Sequence, residues 1–274
     1  MKKILCCISE WGYWGEEIIG PLEELEKNNY EITFMTPKGG RAHALQPSME
    51  PGFFDVPLKK VVTSEYYATK TREFDDSDVL DNTIDLSSWF PKRPYFCDEN
   101  FGHALTKYHK ERELCFEEIK QYDALLLPGG SGPMVDMVNN QQLHDVILGF
   151  YQQNKLIATL CYSVGCLAFA RDWTMRKSII WGKHITGHAL EYDYMDGTGF
   201  IKTGSTNFGS PFYPLEYILR DATGPDGQYH GGVGHETSTI LDYPFLTGRS
   251  TQDSKLVGEL MIEVLENGLK RYGW

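Results

Sequence analysis

The stretch KLIATLCYSVGCLAFA, residues 155–170, decides how the rest of the chain is interpreted. Its first half, from Leu156 to Thr159, is typical of a short buried strand, and Cys161 follows almost directly. The small and apolar residues at 164–170 favour the first turns of a buried helix. A cysteine at a sharp strand-to-helix turn faces the unpaired N–H groups and the positive end of the helix dipole, which lower the pKa of a thiol. We therefore predict that Cys161 is a nucleophile on a turn of the nucleophile-elbow type.

The composition narrows the class of partner. With 274 residues, the chain is long enough for one large core with an inserted subdomain. Its 41% hydrophobic and 23% charged residues are ordinary for a globular protein. A formal net charge of −12 argues against nucleic acid and against an anionic membrane surface as partners. The charge says little else about partners, and the small-molecule substrate expected here follows from the motifs below.

The cysteines and the N-terminal residues predict the compartment. The segment MKKILCCIS has an apolar run shorter than the roughly 7–15 residues of a secretory signal. No stretch of the sequence reaches the ~18–20 consecutive apolar residues of a membrane span. The six cysteines form no CxxC pair and no regular framework, as expected of reduced thiols. These features predict a cytoplasmic protein.

Apolar strands alternate with helical patterns along most of the chain. Strands are predicted at 4–8, 30–35, 122–127, 156–159 and 245–248, with a short strand pair at 178–181 and 183–186. The clearest helix, about 253–267, has one apolar face and ends at Gly268, a natural C-cap. This alternation predicts an α/β fold: a doubly wound, mostly parallel sheet in a single domain spanning residues 1–274.

Residues 41–115 interrupt this alternation. The segment is rich in prolines and aromatic residues and contains the acidic run 73–78. A structureless loop of this length is improbable inside a compact domain, so we expect an insertion with short helices. It is predicted to form a cap or small subdomain over the face that carries the first turn of the chain. A surface elaboration or an oligomer contact is the alternative.

Three chemical features fall at the ends of predicted strands. Glu17 lies in the first helical turn after the first strand, a glycine turn at 129–130 follows YDALLL, and Cys161 ends its own strand. In a doubly wound sheet, ligands bind outside these strand ends, so the sheet would gather all three. The glycine turn lets backbone N–H groups approach a substrate closely, as an oxyanion hole requires. The amide of Tyr162 is the expected second donor.

The sequence identifies the histidine partner of Cys161 less specifically than it identifies the cysteine. His188 follows a short predicted strand and is spaced to return to the cysteine. The pair at 235–236, in the Gly-rich segment GGVGHE, lies in a loop that can also approach the site. His103, His109 and Glu113 suggest a metal site, but their spacing is nonspecific, so no metal is expected.

Together these motifs resemble the ThiJ/PfpI superfamily, and within it the branch that holds heat-shock chaperones and glyoxalase III enzymes. The most specific match is YDALLLPGGSGPMVD at 122–136. The others are TPKGG (36–40), QPS (46–48), LIATLCYSVGCLA (156–168), GKHITGHALEYD (182–193), PLEYIL (214–219) and FLTGRSTQDS (245–254). The resemblance covers nearly the whole chain outside part of the insertion. It implies a flavodoxin-like sheet of the class I glutamine amidotransferase type.

The resemblance also implies roles for individual residues. Glu17 stands four residues before Pro21, as the superfamily's acidic residue stands before its proline. Cys161 takes the position of the reactive cysteine. Gly130 and Tyr162 take the positions whose backbone amides form the oxyanion hole.

Two departures separate this chain from the chaperone-like branch. That branch usually reads Cys-His-Gly, whereas this chain has Tyr162 and Ser163 after the cysteine. The tripeptide at 186–188 lines up instead with a THP segment of the parkinsonism-associated branch, which places a site histidine there. The resemblance therefore implies that His188 completes the site.

Three functions fit these residues. The first is a cofactor-free enzyme on small reactive carbonyls, which converts methylglyoxal to lactate or acts as a deglycase, with Cys161 as nucleophile and Glu17 and His188 as acid–base groups. The second is an amidase or related hydrolase that uses the same thiolate and oxyanion hole. The third is a stress chaperone or redox sensor that acts through oxidation of Cys161. A homodimer is expected because oligomers are common in the superfamily.

Overall fold

The computed structural model describes residues 1–55, 60–190, 202–203, 206–207, 214–231 and 238–274. The strands are β1 (Lys3–Cys7), β2 (Glu31–Thr36), β3 (Phe54–Asp55), β4 (Lys60–Val61), β5 (Ile84–Asp85), β6 (Ala124–Leu127), β7 (Leu156–Leu160), β8 (His184–Ile185), β9 (Lys202–Thr203), β10 (Thr206–Asn207), β11 (Gln228–Tyr229), β12 (Thr239–Asp242), β13 (Phe245–Gly248) and β14 (Arg271–Tyr272). The helices are α1 (Gly15–Lys27), α2 (Glu65–Asp75), α3 (Leu86–Trp89), α4 (Phe101–Ile119), α5 (Pro133–Asp136), α6 (Gln141–Gln152), α7 (Gly165–Phe169), α8 (Leu215–Thr223) and α9 (Ser254–Asn267).

An eight-stranded sheet, in the order β14-β12-β13-β7-β6-β1-β2-β5, forms the centre of the fold. The strands from β13 to β5 run parallel to their neighbours, and β12 is antiparallel to both β13 and β14. Helices lie on both sides of the sheet. The predicted doubly wound, mostly parallel α/β fold is therefore confirmed.

The central strands are buried along their whole length. Every residue of β6 and β7 is inaccessible to solvent or nearly so, and Leu125 and Ile157 are opposite one another in the register. Strands covered by helices on both faces need apolar side chains on both faces, which explains the continuous apolar runs in the sequence. The parallel arrangement brings the carboxyl ends of β1, β6 and β7 to the same edge of the sheet.

The structure differs from the sequence prediction in two short segments. β8 pairs in parallel with β11, and residues 178–181 form turns after an isolated bridge, so the expected strand pair is wrong. The helix that precedes β6 is longer than its sequence pattern indicates, since α4 begins at Phe101 and packs against α6. The helical spacing of apolar residues in α4 is hard to recognise from the sequence, because the charged Arg112 is buried among them. The last helix and its left-handed cap, Gly268 at φ +72°, are confirmed.

The segment predicted as an insertion is attached to the sheet at several points. β5 lies within it and pairs with β2, which supplies the eighth strand of the sheet. Asp75, at the end of α2, accepts hydrogen bonds from the Tyr13 hydroxyl at 2.8 Å and from the Ala44 amide at 2.7 Å. These contacts join the end of α2 and the segment around Ala44 to the loop between β1 and α1. A covering role over the site stays a prediction.

Among the described helices, none combines the length and apolarity that crossing a membrane requires. The compartment and the homodimer stay predictions.

A carboxylate from α5 fixes the loop that leads into α1. Asp136 accepts hydrogen bonds from the Ser9 hydroxyl at 2.7 Å and from the Glu10 amide at 2.8 Å. Burial raises the pKa of Asp136, although these donors favour its charged form. The loop after β1 and the turn after β6 are thereby held together at the edge of the sheet where the candidate site lies.

Replacing this carboxylate should destabilise the fold. We expect Asp136→Ala to lower the free energy of unfolding by about 2 kcal/mol, because hydrogen bonds to a buried charged group are lost. Urea denaturation measures the change. The matched control is Asp98→Ala, which removes an exposed carboxylate that accepts one local bond from the Tyr95 amide. Equal losses in the two variants would contradict the structural role of Asp136.

Candidate active site

The backbone at Cys161 has the strained turn that the sequence predicts. Leu160 is extended, and Cys161 adopts φ +55°, in the left-handed region that residues other than glycine rarely occupy. A 3₁₀ turn, Cys161–Val164, follows and leads into α7. Such strain costs about 1–3 kcal/mol and is found mainly at functional sites. The turn places the side chain at the carboxyl edge of the sheet.

Two side chains predicted for catalysis lie beside the sulfur of Cys161. The Nδ1 atom of His188 is 3.4 Å from the sulfur. The Glu17 carboxyl is adjacent, since a Cβ added to Gly129 would lie 2.5 Å from Glu17 Oε2 and 2.7 Å from the Cβ of Cys161. The structure therefore brings together the three residues that the sequence analysis proposed as catalytic.

The Glu17 carboxyl is buried, and the groups around it only weakly stabilise its charged form. Its side chain is 1% exposed, and neither oxygen has a hydrogen-bond partner of ordinary geometry among the described residues. The Cys161 thiol and the amides of Gly129 and Gly130 still lie close enough to favour its charged form. Burial outweighs them and raises the pKa of Glu17 to about 8, so the carboxyl is mostly protonated at neutral pH.

The ionisation of Cys161 differs from the sequence prediction. Burial raises the pKa of the thiol well above its usual range, and the neighbouring Glu17 raises it further. The amides of Gly130 and Tyr162 lower it, as a helix N-terminus would, but they do not offset burial. The expectation of a lowered pKa was wrong because it considered the turn without the depth of the site. A thiol in this environment needs a base to ionise it.

The position of His188 is set by contacts on both its backbone and its ring. Its amide donates to the Cys161 carbonyl oxygen at 3.4 Å, and the Tyr229 hydroxyl donates to the carbonyl oxygen of Gly187 at 2.8 Å. The imidazole ring stacks on the ring of Tyr162, with centroids 3.8 Å apart and 24° between the planes. The His188 imidazole is thus held against the same turn that carries Cys161.

The glycine turn after β6 supplies the predicted amide donor. Gly130 has φ +93°, and a Cβ there would lie 2.6 Å from the amide nitrogen of Trp14. Such a Cβ would also lie 3.1 Å from the Cδ1 atom of Leu45, which belongs to the predicted insertion. The amides of Gly130 and Tyr162 both approach the Cys161 sulfur, in the places expected for an oxyanion hole.

Ser163 has a structural role that the sequence analysis missed. It is fully buried, and its hydroxyl lies 2.7 Å from the carbonyl oxygen of Leu127, 2.8 Å from that of Leu160 and 3.0 Å from that of Pro128. The hydroxyl therefore joins the ends of β6 and β7, between the oxyanion turn and the nucleophile. A polar residue within an otherwise apolar run was the available signal.

His103, His109 and Glu113 do not form a metal-binding cluster. Among the residues the structure describes, no group of three or more His, Cys, Asp or Glu side chains is placed to hold a metal ion. His109 instead packs edge-on against Trp173, with ring centroids 4.8 Å apart. The pair at 235–236 lies outside the described residues. Cys6, Cys7 and Cys166 belong to the hydrophobic core, as expected.

Known proteins share the sequence pattern and the fold of this chain. A model described as ThiJ/PfpI family-like matches residues 8–226 of the chain. Similar solved structures include the 24 kDa rapid encystment protein of Francisella tularensis, at 21% identity and a TM-score of 0.67, with 97% of this chain and 99% of that chain covered. Glyoxalase III of Candida albicans follows at 19% identity and a TM-score of 0.66, covering 97% of this chain and 98% of that one.

A more distant similarity is to DJ-1beta of Drosophila melanogaster, at 13% identity and a TM-score of 0.51, with 97% of this chain and 91% of that chain covered. At these identities, the structural similarity shows the fold alone. No curated protein is matched by sequence.

The raised pKa of Glu17 predicts how stability depends on pH. In the unfolded chain the carboxyl ionises above about 4.5, whereas in the folded protein it stays protonated until about 8. Unfolding therefore releases a proton between these values, and stability falls as the pH rises through this window. From pH 5.5 to 8.5, Glu17 should account for a decline of about 3 kcal/mol in the free energy of unfolding.

Urea denaturation at pH 5.5 and 8.5 measures this decline. Glu17→Gln should remove this contribution, which is about half of the decline from Glu16 and Glu17 together, while Glu26→Gln, on the exposed side of the same helix, should leave it in place. Glu16, whose pKa burial also raises to about 8, contributes the other half. An unchanged pH dependence in Glu17→Gln would mean that the carboxyl is already ionised in the folded protein.

Removing the Ser163 hydroxyl should loosen the turn. We expect Ser163→Ala to lower the free energy of unfolding by about 1–2 kcal/mol, because buried carbonyl oxygens lose a donor. Ser178→Ala is the control, since that buried serine approaches a single carbonyl oxygen, that of Leu167, at 3.0 Å. A loss in Ser163→Ala no larger than in the control would remove Ser163 from this role.

Proposed function

The chain belongs to the ThiJ/PfpI-like family, and on that premise we propose that it is a cysteine-dependent enzyme acting on small reactive carbonyl compounds. The expected substrate is a 2-oxoaldehyde such as methylglyoxal, and the expected product is a 2-hydroxy acid such as lactate. The observation that carries the proposal is the Cys161 sulfur, with His188 Nδ1 at 3.4 Å and the buried Glu17 carboxyl beside it. The similarity to a protein named glyoxalase III supports the same choice.

The burial of the nucleophile favours a small substrate. Only 6% of Cys161 is exposed, and Glu17 beside it is more deeply buried. A compact dicarbonyl compound can reach such a sulfur more readily than a folded polypeptide can. Because its two carbonyl carbons are adjacent, one nucleophile and one nearby carboxyl can serve both.

The first step is addition of the thiol to the aldehyde. His188 takes the proton from Cys161 as the sulfur forms a bond to the aldehyde carbon. That proton then passes to the former aldehyde oxygen, which gives a hemithioacetal. The amides of Gly130 and Tyr162, which approach the sulfur, stabilise the negative charge that develops on this oxygen.

The second step is an internal proton transfer. Glu17 takes the proton from the former aldehyde carbon and returns it to the adjacent carbonyl carbon, while the hydroxyl proton passes from the first oxygen to the second. The first carbon is thereby oxidised to a thioester and the second is reduced to an alcohol. Because this rearrangement is internal, no external redox partner takes part. A carboxyl with a pKa of about 8 is present in both forms near neutral pH, which suits a group that accepts a proton and returns it. Water then hydrolyses the thioester, releasing the 2-hydroxy acid and the thiol.

Substitution of the nucleophile tests the proposal. Cys161→Ala should lower the rate of lactate formation from methylglyoxal by at least about 1000-fold, because the covalent intermediate cannot form. The control is Cys97→Ser, which changes an exposed thiol and should retain the activity. Chromatography on a chiral column measures the lactate and separates it from the non-enzymatic product.

A panel of amides and esters is assayed in parallel. Lactate formation by Cys161→Ala at the rate of the unmodified protein would overturn the proposal. Cys161-dependent hydrolysis of amides or esters, with no lactate from methylglyoxal, would favour a hydrolase in its place.

A further inference from the structure

We infer that Tyr162 is a positioning residue whose ring holds the imidazole of His188 in the orientation needed to take a proton from Cys161. The inference rests on the proposed function, because it gives His188 the role of base. The feature that carries it is the face-to-face contact of the two rings, with centroids 3.8 Å apart and planes inclined by 24°.

The stacking ring is attached directly to the nucleophile. Tyr162 follows Cys161 in the chain, and both belong to the 3₁₀ turn at 161–164. The Tyr162 side chain is 5% exposed, so the surrounding core restricts its own movement. A displacement of the turn therefore moves the nucleophile and the ring that faces its base together, and the distance between sulfur and imidazole is maintained.

Several hydrogen bonds hold the backbone of the loop that carries His188. The His188 amide donates to Cys161, and the Tyr229 hydroxyl donates to the carbonyl oxygen of Gly187. On the far side of His188, the Leu190 amide donates to Glu216 on α8 at 3.0 Å. These bonds determine where the histidine side chain begins, but they do not set the plane of its ring.

The ring plane decides whether the imidazole can act as the base. Rotation about the side-chain bonds of His188 would carry Nδ1 away from the sulfur, which it approaches to 3.4 Å. A flat aromatic face against the imidazole opposes this rotation, because parallel rings at this separation lose their contact when one of them tilts. Ordinary core packing would need the volume of Tyr162, whereas positioning of His188 needs its flat ring.

Two variants at this position test the flat ring, and a His188→Ala background separates an effect on the imidazole from the loss of side-chain volume. Tyr162→Phe keeps the aromatic face, and Tyr162→Leu keeps an apolar side chain without a flat ring. The rate of alkylation of Cys161 by iodoacetamide reports activation of the thiol and does not depend on the natural substrate. It is measured at Cys161 by peptide mass spectrometry between pH 6 and 9, in a Cys97→Ser background that removes the exposed thiol.

We expect alkylation of Cys161 to be about tenfold slower in Tyr162→Leu than in Tyr162→Phe, as the strength of an aromatic pair implies. Any activity on methylglyoxal should show the same difference in kcat, with a smaller change in KM. In a His188→Ala background the difference between Phe and Leu should disappear, because Tyr162 acts through the imidazole.

Three results would overturn the inference: equal alkylation rates in Tyr162→Leu and Tyr162→Phe, a Leu effect of the same size in the His188→Ala background, or no effect of His188→Ala on alkylation. Thermal unfolding of every variant identifies any general loss of structure.

The proposed substrate and the positioning role of Tyr162 can fail independently of each other. Absence of lactate with the expected alkylation pattern overturns the proposed substrate and supports the positioning of His188.

Discussion

The close approach of three chain segments at Gly129 is the constraint on which the site depends. A Cβ at this position would lie 2.5 Å from the Glu17 carboxyl oxygen and 2.5 Å from the carbonyl oxygen of Leu160. The turn after β6 thus presses directly against both the first turn of α1 and the end of β7. Glycine allows the Glu17 carboxyl, the Cys161 sulfur and the amides of Gly130 and Tyr162 to share one small, buried volume. The contacts of Asp136 and Ser163 hold the same segments in place from either side.

Burial affects the ionisation of Glu17 and Cys161 more than the backbone turn at Cys161 does. Burial favours the neutral forms of both Glu17 and Cys161, so the resting site holds no strong negative charge at neutral pH. The proposed reaction therefore needs a proton transfer to ionise the thiol, and His188 and Glu17 are the titratable groups beside the sulfur.

The sequence predicted those features that follow from strand ends. Cys161 and Glu17 were found because apolar strands of a parallel sheet must end at a common edge, and His188 was found by resemblance and spacing. The sign of the Cys161 pKa shift was missed because burial depends on how segments distant in sequence pack together. The role of Ser163 was missed for a related reason: its acceptor at Leu127 lies on another strand, and a local pattern contains no information about it.

The backbone of Cys161 has a consequence for the evolution of related chains. At φ +55° a glycine would be less strained than a cysteine, so stability alone disfavours the residue found there. If the proposed reaction is what keeps the thiol, related chains without that reaction should carry glycine or asparagine here and still retain the buried apolar residues of β7. The residue at position 161 would then distinguish relatives that carry out the proposed chemistry from those that do not.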